Sequence, residues 1–299
     1  MQSITDNQTR PLPPLFGRGE QGGEANYHSH SLYCDGRAGM EDFVRFAVSR
    51  GFVSYGFSSH APLPFSTAWT MEWDRMEDYL AEFQRLRQKY AGQIELYIGL
   101  EIDYLNEESN PAAECFQRLP LDYRIGSVHL LYDETGKVVD ADLPAGKFRQ
   151  MVDEHFHGDV EQVVRQYYER SWRMVELGGF DIVGHADKVH YNAACCRPGI
   201  MDELWYDQLV CDYFAEIARR GYQMEVNTKA YEELGVFYPD ERYFPLLREL
   251  GIRIQVNSDA HYPERISSGM SAAFRALRNA GFASVMQLRA GQWAEVPLR

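Results

Sequence analysis

Seven short apolar or β-branched runs, near residues 25–30, 53–58, 94–101, 123–130, 181–185, 222–227 and 252–258, alternate with longer stretches of helical periodicity. Nothing else in the sequence narrows the possible folds as far, because strands separated by helix-length segments pair in parallel and are covered by those helices. Helices are expected near 39–50, 72–90, 159–177, 202–220, 240–250 and 270–280, with Gly51, Gly178, Gly221 and Gly251 placed where a left-handed residue closes a helix. The pattern predicts one α/β domain over 25–299. Before it, residues 1–24 carry Pro-Leu-Pro-Pro and a Gly-rich run but no apolar signal core, and are expected to form a flexible extension. Residues 131–158 break the alternation: a polar connection with turn residues and no clear period, expected to act as a lid or pocket wall.

Charge and cysteine usage remove several function classes. A formal net charge of -14 opposes binding to a phosphate backbone, which relies on Lys and Arg displacing counterions, so no nucleic-acid partner is expected. The same charge repels a small phosphorylated substrate unless bound cations override it locally. The five cysteines (Cys34, Cys115, Cys195, Cys196, Cys211) have no CxxC spacing, which fits a reducing, cytoplasmic setting and no Cys-type zinc site. No run approaches the ~18 apolar residues of a membrane span.

The chemistry sits where the candidate strands stop. Asn26-Tyr27-His28-Ser29-His30 ends the first, and residues two apart in an extended chain face the same side, so both imidazoles can reach one ion. Asp35-Gly36 follows on the exit loop; alone it reads as a turn. His60 ends the second strand within Ser-His-Ala-Pro. Glu101 lies inside the apolar run of the third, where a carboxylate is costly to bury unless paired or bound to metal. Asp103, on the same face, could orient a ligand. His129, His185 and the pair Asp259 and His261 end the fourth, fifth and seventh strands. Six of the nine histidines thus occupy strand ends, which share one rim in a parallel barrel. Gathering Asp35, Glu101 and Asp259 within about 5 Å costs roughly 3 kcal/mol per pair at an effective dielectric near 20, a penalty that cations reverse. Nine N/O ligands without a thiolate suit two or three divalent ions of the Zn, Fe or Mn type.

In this order, His-x-His, Asp-Gly, Ser-His-Ala-Pro, Gly-Leu-Glu, Gly-Ser-Val-His, Gly-His-Ala-Asp and Ser-Asp-Ala-His resemble the polymerase and histidinol phosphatase (PHP) family over roughly 25–265, and its histidinol-phosphatase branch in particular. The resemblance implies a distorted (β/α)7 barrel, similar to a TIM barrel, with a trinuclear centre. His28, His30, Glu101 and Asp259 would hold one ion; Glu101, His129 and His185 a second; Asp35, His60 and His261 a third. The implied reaction is hydrolysis of L-histidinol phosphate to L-histidinol and phosphate, late in histidine biosynthesis, by attack of a metal-bound hydroxide. After Asn227-Thr228 the branch would carry a small residue and then an Arg, but here Lys229-Ala230-Tyr231 follows. Lys229, Lys188 and Arg265 are therefore the candidates for phosphate contact, and Asp187 and His261 for catalysis beyond ligation.

Rival readings remain open at this point. An amidohydrolase also uses His-x-His and a final-strand Asp, though it would want a bridging Lys where Glu101 stands. Another phosphoesterase of the family, acting on nucleotides or other small esters, and a catalytically silent binding module are further alternatives. His155 and His157 form a second His-x-His, but after a polar stretch and not at a strand end.

Overall fold

The computed structural model describes residues 25–298; the extension expected over 1–24 lies outside the described residues. All seven expected strands form: β1 Ala25–Asn26, β2 Ser54–Phe57, β3 Glu95–Asp103, β4 Tyr123–Ser127, β5 Ile182–Val183, β6 Gln223–Asn227 and β7 Arg253–Asn257. They make one sheet in chain order with every pairing parallel. The sheet closes beyond the ends of its first and last strands. His30 N–H donates to the Ala260 carbonyl (2.9 Å) and Ala260 N–H to that of His28 (3.2 Å). The Asn26 side chain donates to Ser258 Oγ (2.9 Å) and accepts from its N–H (3.1 Å). Barrel closure therefore stitches two ligand motifs, 230 residues apart, directly together.

Helices α1 Met40–Ser49, α2 Met76–Lys89, α3 Val160–Leu177, α4 Leu204–Arg220, α5 Phe244–Glu249 and α6 Met270–Asn279 cover the outside. Each follows the apolar spacing of an amphipathic helix; α1, for instance, buries Met40, Phe43, Val44 and Ala47. Gly221 closes α4 in the left-handed conformation expected of it. Only the four-residue helix Glu114–Gln117 lies between β3 and β4, which makes the barrel irregular. No helix among the described residues is long and apolar enough to cross a membrane.

The 131–158 segment differs from the expected featureless connection. It contains an antiparallel hairpin, Leu130–Tyr132 with Val138–Asp140, and an 11-residue helix, Ala145–His155. Its turn carries Asp133 and Glu134, which pair with His155 Nδ1 (2.9 Å) and His157 Nε2 (3.2 Å), so the second His-x-His serves this substructure.

The barrel floor is an aromatic plug of Tyr27, Tyr97 and Tyr123 with Ile125 and Ile182, sealed from below by Leu288 and Trp293 of a C-terminal hairpin. The Tyr123 hydroxyl reaches the carbonyls of Tyr27 (2.6 Å) and Phe57 (2.9 Å), so its ring crosses the interior. Gly56 and Gly99 make room for it: a Cβ would stand 2.4 Å from the Tyr123 hydroxyl at the first and 2.6 Å from its ring at the second. Gly99→Ala should accordingly cost about 1–3 kcal/mol of overpacking. Thermal denaturation should show a fall of several degrees; an unchanged midpoint would mean that the floor is not packed as described.

Candidate metal centre

Above this plug, the rim gathers side chains from six strand ends. Glu101, in β3 and buried, is their hub. Its Oε2 lies 3.1 Å from His28 Nε2, 3.6 Å from His30 Nε2 and 3.0 Å from His60 Nδ1. Its Oε1 lies 2.8 Å from His185 Nε2 and 3.5 Å from His129 Nε2, and accepts a hydrogen bond from Ser127 Oγ (2.7 Å). On the outer side, Asp259 Oδ1 is 3.0 Å from His30 Nε2 and Asp35 Oδ2 is 3.2 Å from His261 Nε2. All nine expected ligand residues thus meet. Their donor atoms form overlapping sets with metal-binding spacing: His30, Asp35, His60 and His261; His28, His185 and Asp259; His28, His30 and Glu101; and His60, Glu101 and His129.

The electrostatics put several of these groups in their ligand forms. Burial opposes ionisation of Glu101, but the imidazoles of His28, His60 and His129 outweigh it and hold its carboxyl well below the usual range. Asp259 is likewise held low, against burial, by Lys229, His28 and His30. Burial, with His261 and His60 alongside, pushes His30 well down, and burial with Lys188 lowers His185, so both rings are neutral donors. His28 and His129 are raised, His129 to about 10, because carboxylates behind them overcome burial. For His129 that carboxylate is Asp103, whose oxygens lie 3.0 and 3.1 Å from Nδ1.

Folding alone gives no reason for this arrangement. His28 Nε2, His30 Nε2, Asp35 Oδ1, His60 Nδ1, Glu101 Oε2 and His185 Nδ1 are shielded from solvent and make no well-aligned hydrogen bond, although several approach a potential ion-pair partner at 3.0–3.6 Å. Each such orphan costs about 1–3 kcal/mol. Divalent cations fit the cluster: imidazole and carboxylate are their ordinary ligands, and coordination would satisfy the converging atoms.

A cavity of about 150 Å³ opens onto the centre, lined by Asp35, His60, Trp69, His129, Asp140, Asp142 and Lys229. Lys229 Nζ sits 3.4 Å from Asp259. Lys188 is buried behind this wall, with Nζ 3.2 Å from Asp142 and over the Tyr238 ring. Two expected site residues are placed elsewhere. Arg265, at the end of a short 3-10 helix, is half-exposed, faces Glu233 at 3.7 Å and does not line the cavity. Asp187 is buried with Oδ2 accepting the Asp240 N–H (2.8 Å) and Oδ1 3.2 Å from His190 Nδ1, a strut between rim loops and not part of the cavity wall. Trp69, Asp140, Asp142 and Glu225 escaped the sequence reading. Only Glu225 carried a signal: like Glu101, it is a carboxylate within an apolar strand.

A nearly closed parallel barrel whose rim gathers imidazole and carboxylate atoms at metal-binding spacing defines a barrel protein with a site suited to metal. The PHP domain model matches residues 26–229, and the chain belongs to the PHP domain family. It is 26% identical over 269 residues to a probable histidinol-phosphatase of Deinococcus radiodurans, covering 87% of this chain and 94% of that one. To a histidinol-phosphatase of Bacillus subtilis it is 25% identical over 251 residues, covering 78% and 92%. A solved histidinol phosphate phosphatase from Lactococcus lactis, in complex with zinc, L-histidinol and phosphate, superposes with a TM-score of 0.68 at 18% identity, over 92% of this chain and 99% of that chain.

Proposed function

We propose that this chain is a metal-dependent phosphomonoesterase that hydrolyses L-histidinol phosphate to L-histidinol and phosphate. The observation that carries the reading is the convergence of orphaned ligand atoms around Glu101 beside a cavity with a cationic side chain. The relatives named for the same reaction support it. Two or three divalent ions of the Zn, Fe or Mn type would be held as the resemblance implies, with His28, His30, Glu101 and Asp259 for one, Glu101, His129 and His185 for another, and Asp35, His60 and His261 for a third. When bound, they supply Lewis acidity toward phosphate oxygens and bring water within reach of ionisation at neutral pH.

The chain's own residues do the rest. Lys229 offers an ammonium at the cavity wall for the phosphate, a point charge where an Arg would offer a fork. Trp69 packs edge-on against His60 and His129, with ring centroids 4.7 and 5.6 Å away, and limits water access to them. Asp140 and Asp142 add acidic side chains to the cavity lining, which suits a leaving alcohol that carries positive charge better than a nucleotide. Five unpaired cysteines fit a cytoplasmic enzyme, which is part of the same reading. Among the described residues no Lys joins the cluster in the bridging position that an amidohydrolase would want; Lys188 and Lys229 face Asp142 and Asp259 at its edge.

Phosphate release from histidinol phosphate, nucleotides and an aryl phosphate, with bound metal measured on the same sample, tests the proposal. A strong preference for histidinol phosphate is expected; activity on amides alone would overturn it. Lys229→Met should raise KM about tenfold, equivalent to ~1.4 kcal/mol of lost phosphate binding, with bound metal undiminished because a neighbouring positive charge is removed. Unaltered KM would remove Lys229 from the phosphate site.

A further inference from the structure

Glu225, in β6, is fully buried and takes no place in the ligand set, yet its carboxylate touches two of the expected ligands. Both oxygens lie 3.0 Å from His28 Nδ1. Oε1 also accepts the His185 backbone N–H (3.0 Å) and Asn227 Nδ2 (2.9 Å), and Oε2 accepts Asn257 Nδ2 (3.0 Å). One side chain thereby ties the ends of β1, β5 and β7 to β6.

These contacts do more than neutralise a buried charge. A carboxylate offers only acceptors, so His28 must present Nδ1–H to it, which leaves the Nε2 lone pair directed at the cluster, 3.1 Å from Glu101 Oε2. His185 has a φ of 21°, in the left-handed range that a side chain with a Cβ adopts at a cost, and the bond from its amide to Glu225 holds that turn. With both oxygens engaged by donors, Glu225 is poorly disposed to bind an ion itself. No hydrogen bond or ion pair of Glu225 reaches Asp35, His60 or His261 among the described residues.

We propose that Glu225 is a positioning residue that sets the tautomer of His28 and the backbone of His185, and so tunes the affinity of the ions those two hold while leaving the Asp35, His60 and His261 group untouched. This rests on the reading of the cluster as a metal centre. The test is a zinc titration of the full chain against a chromophoric chelator. Glu225→Gln should weaken one class of zinc by about 10–100-fold and leave another at wild-type affinity, and Asp35→Asn should produce the converse pattern. Uniform weakening of all zinc, or none, would overturn the proposal, since a purely structural role predicts no selectivity. Should Glu225→Gln not fold, nitrogen-15 NMR of histidine-labelled, zinc-loaded wild type decides: Nδ1–H on His28 is expected, and Nε2–H would overturn it. A wild-type chain that binds no zinc would instead bring down the metal reading itself.

Discussion

Glu101→Gln should lower turnover of histidinol phosphate by about 10³-fold or more and release most of the bound metal. Glu101 approaches five imidazoles from one carboxylate, so each ion placed in the cluster would share it or lie beside a residue that touches it. The amide keeps the volume but removes a negative charge and turns an N–H2 toward nitrogen lone pairs. Lewis-acid stabilisation of a phosphoryl transfer is worth several kcal/mol, and losing ~4 kcal/mol corresponds to about 10³ in rate. Steady-state kinetics with metal quantified by mass spectrometry would check both halves. If the variant kept its metal and stayed within tenfold of wild-type turnover, Glu101 could not be the hub that the geometry makes it.

That hub was legible in the sequence for a physical reason. A carboxylate inside Tyr97-Ile98-Gly99-Leu100-Glu101 must find a partner or a cation, and the strand-end histidines are the side chains that gather round it. The βα alternation likewise foretold every barrel strand and the six covering helices, since each buries a stripe of the period its element requires. What escaped lay where local pattern is weak. The hairpin strands Leu130–Tyr132 and Val138–Asp140 have three residues each, too few for a period to show. The helix Ala145–His155 buries only Phe148, Met151 and Val152 and begins after Pro144 without a side-chain cap. Asp140 and Asp142 gain meaning only because this substructure folds back over the rim, and Arg265 lies outside the cavity lining despite its closeness in sequence to His261. Asp187 shows the reverse hazard: proximity to His185 in sequence suggested chemistry, while its side chain points away into a strut.

Removing metal should lower the melting temperature by roughly 10 °C, besides abolishing activity. A ligand present at a thousandfold its dissociation constant stabilises the folded state by ~4 kcal/mol, and each kcal/mol moves the midpoint of a domain of this size by about 2–4 °C. The physical source is local: without cations, the buried carboxylates of Glu101 and Asp259 are ionised and the atoms converging on them are poorly aligned for hydrogen bonds. The midpoint should therefore rise with the logarithm of added zinc. The gap between loaded and chelated protein should also close as pH falls. His28 and His129, whose folded-state pKa values are raised by Glu225 and Asp103 against the effect of burial, hold protons that stabilise the metal-free fold below those values, and ions must displace them. Protons and metal thus compete for the same nitrogens, and acid favours the protons. Calorimetric scans of chelated and zinc-loaded protein at several pH values would check this; coincident scans at neutral pH would show that the rim is held together by its own hydrogen bonds and needs no ion.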